Sequence, residues 1–315
     1  MKPYLIPVED GFGNPFDEEK HYYKIYNDGG HYIGTRVIRS MAKRPPKRPK
    51  ATDMDIAFDS LYLNALRAGL KKEKMIENIL AGMEKLYPAS FALTKYVEEK
   101  VDKKRRSMRA RIKRFERKAH MNRWNYFVTF TYDPKKHTAE SFRKKLRKCL
   151  SNLHTRRGWK YMGVFEMGGE NGTVHFHALI YVPDGEMIGR LVAKNEYSTK
   201  RRKRYTRYGN TFFDENFGMS DFREVNPILL KRGGTIRYLI KYIVKTGEKF
   251  VYSRGVASEI YLEIANKDIA CTMFDFVMKY LLFDDVIDWE RDVMHYTKRK
   301  QMTIADVLCN PPKIA

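Results

Sequence analysis

The chain has 315 residues, 43% of them hydrophobic, with 61 Lys+Arg against 38 Asp+Glu and a formal net charge of +23. That balance allows a globular core in one large domain or two to three smaller ones, and it asks for a polyanionic partner, nucleic acid first and an anionic membrane surface second. No apolar run approaches the roughly 20 residues of a spanning helix, and the three scattered cysteines, Cys149, Cys271 and Cys309, argue against a disulfide framework or a Cys-based zinc site. The start, MKPYLIPVEDGFG, lacks the apolar core of a signal peptide. The expectation is a soluble, cytoplasmic protein with reduced cysteines and no membrane partner.

The first fifty residues are rich in Tyr, Gly and charge and end in KRPPKRPK (43–50), which reads as a basic linker or arm. Residues 53–87 show helical periodicity, with Met75, Ile76, Ile79, Leu80, Met83 and Leu86 at 3/4 spacing. A long helix follows over about 89–119 and closes in KKRRSMRARIKRFERK (103–118). Its basic face is either a solvated surface or, through Arg105, Arg106 and Arg109, a phosphate contact.

The texture changes at Trp124. WNYFVTFTYDP (124–134) is β-branched and aromatic and reads as a strand. Residues 138–157 read as a helix with Phe142, Leu146, Leu150 and Leu153 on one face. WKYMGVFE (159–166) and TVHFHALIYV (173–182) are strands joined by GGENG (168–172), which predicts a hairpin. A short helical segment (186–196) leads into STKRRKRYTRYG (198–209). That basic loop either is disordered or binds nucleic acid through Arg201, Arg202 and Arg204 with tyrosines for stacking. Residues 218–225 predict a fourth strand, 235–247 a helix ended by Gly247, and 249–255 a further strand. The tail predicts an apolar helix over about 267–283 and another after it.

Two features point to chemistry. His175 and His177 stand at i and i+2 in one strand, so both imidazoles share a face. They are either ordinary sheet residues or two ligands of one metal. Antiparallel return past Glu166 brings a carboxylate to them, with Glu170 in the turn as the competing ligand. Two imidazoles and a carboxylate leave positions open for water and a phosphate oxygen, as a catalytic Mg²⁺ or Mn²⁺ requires. The second feature is YLIKYIVK (238–245). On a helical wheel Ile236, Leu239, Ile240, Ile243 and Val244 form one apolar stripe, with Tyr238 and Tyr242 opposite it and flanked by Lys241 and Lys245. A tyrosine pair at this spacing is either core packing or a pair of nucleophiles whose phenolates the lysines favour.

Taken in order, FVTFTYDP (127–134), VHFHALI (174–180) and YLIKYIVK (238–245) resemble the three motifs of the HUH endonucleases, and most closely the rolling-circle replication initiators of single-stranded DNA phages and plasmids. The doubled YxxKYxxK is similar to the two-tyrosine members, and YSRG (252–255) resembles phage-type ones. The resemblance covers about 124–255. It implies an α+β fold: an endonuclease domain (121–256) with a central antiparallel sheet of about five strands and helices packed on one face. Mainly helical accessory regions at 1–120 and 257–315 would flank it.

The resemblance also implies roles. His175, His177 and Glu166 would hold the metal, and Tyr238 and Tyr242 would attack DNA to leave a 5′-phosphotyrosine and a free 3′-OH. Lys241 and Lys245 would position phosphate or phenolate, and Thr129 and Thr131 would support the sheet and DNA. The partners would be origin single-stranded DNA and, in a host bacterial cytoplasm, the host polymerase and helicase, because no Walker-type P-loop is present. Two other readings stand beside it: a transposase or relaxase with the same chemistry, and a non-catalytic basic nucleic-acid-binding protein.

Overall fold

A computed structural model describes residues 20–29, 31–37, 50–88, 92–167, 172–198, 202–231, 233–265, 269–270, 279–282, 287–290 and 293–296. The chain opens with an antiparallel pair, β1 (Lys20–Asn27) and β2 (Tyr32–Arg36). Three helices follow: α1 (Asp53–Arg67), α2 (Lys72–Leu86) and α3 (Leu93–His120). Thr52 caps α1 through a reciprocal box with Asp55. The periodic stretch 53–87 is two helices and not one, because Gly69 takes a left-handed φ of 70° between them. Phe58, Tyr62, Met75, Ile79, Met83, Val97 and Val101 make the core of this bundle.

The central unit begins with β3 (Tyr126–Tyr132), α4 (Ala139–Arg157), β4 (Lys160–Met167) and β5 (Val174–Tyr181). It continues through β6 (Leu191–Ser198), β7 (Lys203–Asn210), α5 (Thr211–Asn216) and β8 (Gly218–Glu224). It closes with α6 (Pro227–Lys231), α7 (Gly234–Thr246) and β9 (Val251–Tyr252). The sheet has five strands in the order β8-β3-β5-β4-β9, and every pairing in it is antiparallel. An α+β fold around a five-stranded antiparallel sheet is thus present.

Strand alternation sorts the side chains into two layers. Val128, Phe130, Phe165, Phe176, Ala178 and Ile180 face α4, whose Phe142, Leu146, Leu150 and Leu153 are buried on them. Each such side chain contributes about 2 kcal/mol by leaving water. Gly163 belongs to this layer by necessity: a Cβ there would lie 2.4 Å from the His177 carbonyl oxygen. Met162, Val164 and Leu179 face the other way, against Phe115 of α3 and Ile236, Leu239 and Ile243 of α7. Helices therefore cover both faces, where helices on one face were expected. Each strand has an apolar residue in either register over much of its length, and each face needs a cover.

Two further expectations are corrected. The segment 186–210 is no helix and loop but a hairpin, since β6 pairs with β7 from Leu191↔Asn210 to Ser198↔Lys203. The C-terminal region is not helical among the described residues. β10 (Ile260–Ala265), β11 (Ile269–Ala270), β12 (Lys279–Leu282), β13 (Ile287–Glu290) and β14 (Val293–Tyr296) are strands. β10 and β12 flank β1 and β2 in one sheet of order β10-β1-β2-β12-β11. Ile264 packs there with Tyr23, Ile25 and Met121. The partner strand lies at the opposite end of the chain, so local periodicity carried no sign of it. Residues 271–278, within the expected helix, lie outside the described residues, as do 43–49 of the basic stretch. Arg117 at the end of α3 bonds Asp28 at 2.9 Å and covers the Tyr26 ring at 3.7 Å, joining this sheet to the helices. Among the described residues no helix is long and apolar enough to cross a membrane.

Candidate active site

The site is built by register. β3 and β4 flank β5, so residues directly opposite one another share a face. Thr129 stands opposite His177, Thr131 opposite His175, and Glu166 opposite His175. The Thr129 hydroxyl lies 3.1 Å from His177 Nδ1 and the Thr131 hydroxyl 3.0 Å from His175 Nδ1. On the far side, His177 Nε2 is 3.1 Å from Glu166 Oε2. Each imidazole is thus held at Nδ1 by a threonine one strand away, and the Nε2 side of His177 looks onto a carboxylate. The two imidazole centres are 5.9 Å apart.

Burial keeps both histidines neutral. The His177 pKa is pushed down to about 4 by loss of water. That of His175 is lowered by burial first and by His177 second, with Glu166 pulling it back up. A neutral His177 bonded to Glu166 must carry its proton on Nε2, so the Thr129 hydroxyl donates to Nδ1. Threonine can equally accept from an Nδ1–H, so the same pair tolerates the other tautomer, with the Nε2 lone pair free to face a cation.

α7 brings the phenols. It starts after Gly233 and ends at Gly247, whose φ values of 75° and 66° belong to the left-handed region that glycine tolerates. Tyr242 stacks on His177 with ring centres 4.7 Å apart and planes 8° apart. Tyr238 meets His177 edge-on at 5.8 Å and Tyr242 at 5.0 Å. The helical wheel needs correction here. Tyr242 is 9% exposed and sits beside Ile236, Leu239 and Ile243, whereas Val244 is 44% exposed. The buried stripe is rotated toward the tyrosines, and Tyr242 lies at its edge instead of opposite it. That rotation is what lets Tyr242 touch the sheet. Burial raises the Tyr242 phenol pKa above its ordinary value, and a hydrogen bond with Tyr238 and the Glu166 charge raise it further. Tyr238 is 44% exposed.

The structure therefore brings together Glu166, His175, His177, Thr129, Thr131, Tyr238 and Tyr242. Lys241 is exposed on α7. The Lys245 side chain, Glu170 and Arg201 lie outside the described residues. Arg106 and Arg109 are exposed and Arg105 half-buried on α3, N-terminal to Arg111, which donates to the Gly247 carbonyl at the end of α7. Arg202 and Arg204 are exposed on the hairpin. Sequence reasoning missed Phe127 and Asp221. Phe127 meets the Tyr238 ring at 5.8 Å and the His177 ring at 6.5 Å. Asp221 stands opposite Thr129 on the β8 side. Period two from Thr129 leads to Phe127, but only the β3–β8 pairing leads to Asp221.

Among the described residues no three His, Cys, Asp or Glu side chains form a ready metal-holding group. The chemistry of the donors nevertheless fits a divalent cation: two neutral imidazoles and one carboxylate. Cis ligands at about 2.1 Å from an octahedral ion are about 3.0 Å apart, close to the 3.1 Å between His177 Nε2 and Glu166 Oε2.

Residues 125–247 match the family model of the replication-associated proteins, ORF2 and gene 2 protein. The matched segment runs from the start of β3 to the end of α7 and so contains every residue of the set above. It supports a replication-associated protein over the part of the chain that carries the site. A search of curated proteins and a search of solved structures each gave no match.

Proposed function

We propose that the chain is a rolling-circle replication initiator of the HUH type, which nicks single-stranded DNA at an origin and later rejoins it. One observation carries this reading: two phenols from α7 stand against an imidazole–carboxylate face of the sheet, with Tyr242 stacked on His177 at 4.7 Å. Structural tyrosines would have filled the core stripe, which Ile236, Leu239 and Ile243 already fill.

The chemistry is a transesterification. A tyrosine oxygen forms a bond to the scissile phosphorus and loses its proton, and the bond from phosphorus to the 3′-oxygen breaks. The products are a 5′-phosphotyrosine and a 3′-OH that a polymerase extends. Tyr238 makes the first attack, since it is the exposed phenol, while burial holds Tyr242 protonated. Tyr242 acts in the second transfer, after the first product has opened the site. Glu166, His175 and His177 are the residues that would hold Mg²⁺ or Mn²⁺, which when bound polarises the scissile phosphate and stabilises the leaving oxygen. Thr129 and Thr131 orient the imidazoles, and Lys241 offers a charge to the phosphate from the exposed side of α7.

The test is incubation of origin single strands with the protein and Mn²⁺. A protein–DNA adduct that survives denaturation is expected. If replacing both tyrosines by Phe leaves the adduct intact, α7 is not the nucleophile helix. Binding without any adduct would favour the non-catalytic reading.

A further inference from the structure

The β6–β7 hairpin carries a surface that the nicking chemistry does not use. Its pairing sorts the side chains onto two faces. One face is locked to the body. The buried Arg207 guanidinium donates to Glu196 Oε1 at 2.7 Å, Asp214 Oδ2 at 3.1 Å and the Ser220 carbonyl at 2.6 Å. The Tyr205 hydroxyl donates to Glu196 at 2.9 Å, and Lys194 reaches Asp214 at 3.3 Å. Asp214 also accepts from the backbone and hydroxyl of Ser220. The arm is therefore fixed, and its acids are spent on its own attachment.

The opposite face presents Ala193, Asn195 and Tyr197 from β6 and Arg204, Thr206 and Tyr208 from β7. The Thr206 hydroxyl donates to Asn195 at 3.0 Å, as residues on one face should. Tyr197 is 60% exposed and Tyr208 46%, Arg204 is exposed, and none of the six is acidic. The arm joins the sheet beside the site: the Tyr208 N–H donates to Asp221 Oδ1 at 3.2 Å, and Asp221 stands opposite Thr129.

We propose that this face is a platform for single-stranded nucleic acid, with Tyr197 and Tyr208 stacking on unpaired bases and Arg204 pairing with a phosphate between them. The two rings are about 13 Å apart along the ladder, so they engage separate bases. An exposed ring gains by stacking only on an open base face, which a duplex hides and a single strand shows. The net charge of +23 selects a polyanion. Platform and nicking site would then hold one strand, so the proposal rests on the nicking reading for its biological purpose but not for its test.

Binding is measured by fluorescence anisotropy in EDTA, with a labelled single-stranded oligonucleotide and its duplex. Replacing Tyr197 and Tyr208 together by Ala should raise the single-strand Kd at least about tenfold, and change the duplex Kd less than about threefold. The paired Phe replacements should bind like the parent, because they keep the rings. Arg204→Ala should lower the slope of log Kd against log salt by about 0.7 to 1, and the tyrosine variants should leave it unchanged. Unchanged single-strand binding by the Ala pair, or equal loss for duplex, overturns the platform. So does weakened binding by the Phe pair, which also guards against a folding defect. The parent protein's adduct assay is read separately. No adduct with loss of binding by the Ala pair sinks the nicking reading alone, and an adduct with normal binding sinks the platform alone.

Discussion

The two faces of the central sheet use the same strands for opposite ends. On the α4 face, β3 contributes Val128 and Phe130, and β5 contributes Phe176 and Ala178. On the α7 face the intervening positions are Thr129, Thr131, His175 and His177. Phe165 and Phe176 pack with ring centres 4.5 Å apart on the first face, while one residue along each strand Glu166 and His175 stand opposite each other on the second. One face is a dry core that fixes the strands. The other places polar groups where a core would put aliphatic ones, and their positions are only as good as the register that the dry face enforces. Changes on the α4 face should therefore cost stability, and changes on the α7 face should cost activity.

The largest expected separation comes from the phenols. Replacing Tyr238 and Tyr242 together by Phe should reduce adduct formation at least about 10³-fold with little change in the melting midpoint, and a large loss of stability would make the tyrosines core residues instead. On the opposite face, Phe176→Ala should cost about 3–5 kcal/mol in denaturant unfolding, because Phe176 is fully buried. Adduct formation per folded molecule should survive, and its loss would mean the faces are not separable.

A pH effect belongs to the α7 face. Burial keeps the folded His177 neutral down to about 4, whereas the unfolded imidazole protonates near its ordinary value of about 6.5. Between these values the unfolded chain binds the extra proton. Stability in EDTA is thus complete above about pH 6.5 and falls by roughly 3 kcal/mol as pH drops toward 4. His177→Leu should remove most of that slope in urea titrations at several pH values, and an unaltered slope would contradict the burial argument. The smallest effect is expected at the orienting hydroxyls. Thr131→Val keeps the shape and deletes the bond to His175, so Mn²⁺ affinity by calorimetry should fall about 10- to 100-fold. Unchanged affinity would show that the ring needs no such support.

Much of the α7 face was legible because its logic is local. His175 and His177 share a face by strand period, Glu166 returns by a short hairpin, and Tyr238 and Tyr242 lie one helical turn apart. The wheel misjudged the helix because Val244 and Ile240 looked like core, and hydropathy alone cannot tell an aliphatic residue at the rim from one in the stripe. Only docking against Val164, Leu179 and Phe115 fixes the rotation. Asp221 and the hairpin's two faces depend on the β3–β8 and β6–β7 pairings, and the basic run at 198–209 masked a strand whose order comes from Arg207 and Asp214. The strands after residue 260 were read as helix because β10 is completed by β1, where Ile25 meets Ile260 across more than two hundred residues of chain.

The most direct test of the central claim is to digest the denaturation-resistant adduct formed with Mn²⁺ and locate the DNA-linked residue by mass spectrometry. The phosphotyrosine should lie on the α7 peptide, at Tyr238 after the first cleavage. A nucleotide attached to a residue outside α7, or no covalent adduct from an active origin strand, would contradict the assignment of this sheet face and helix as one catalytic site.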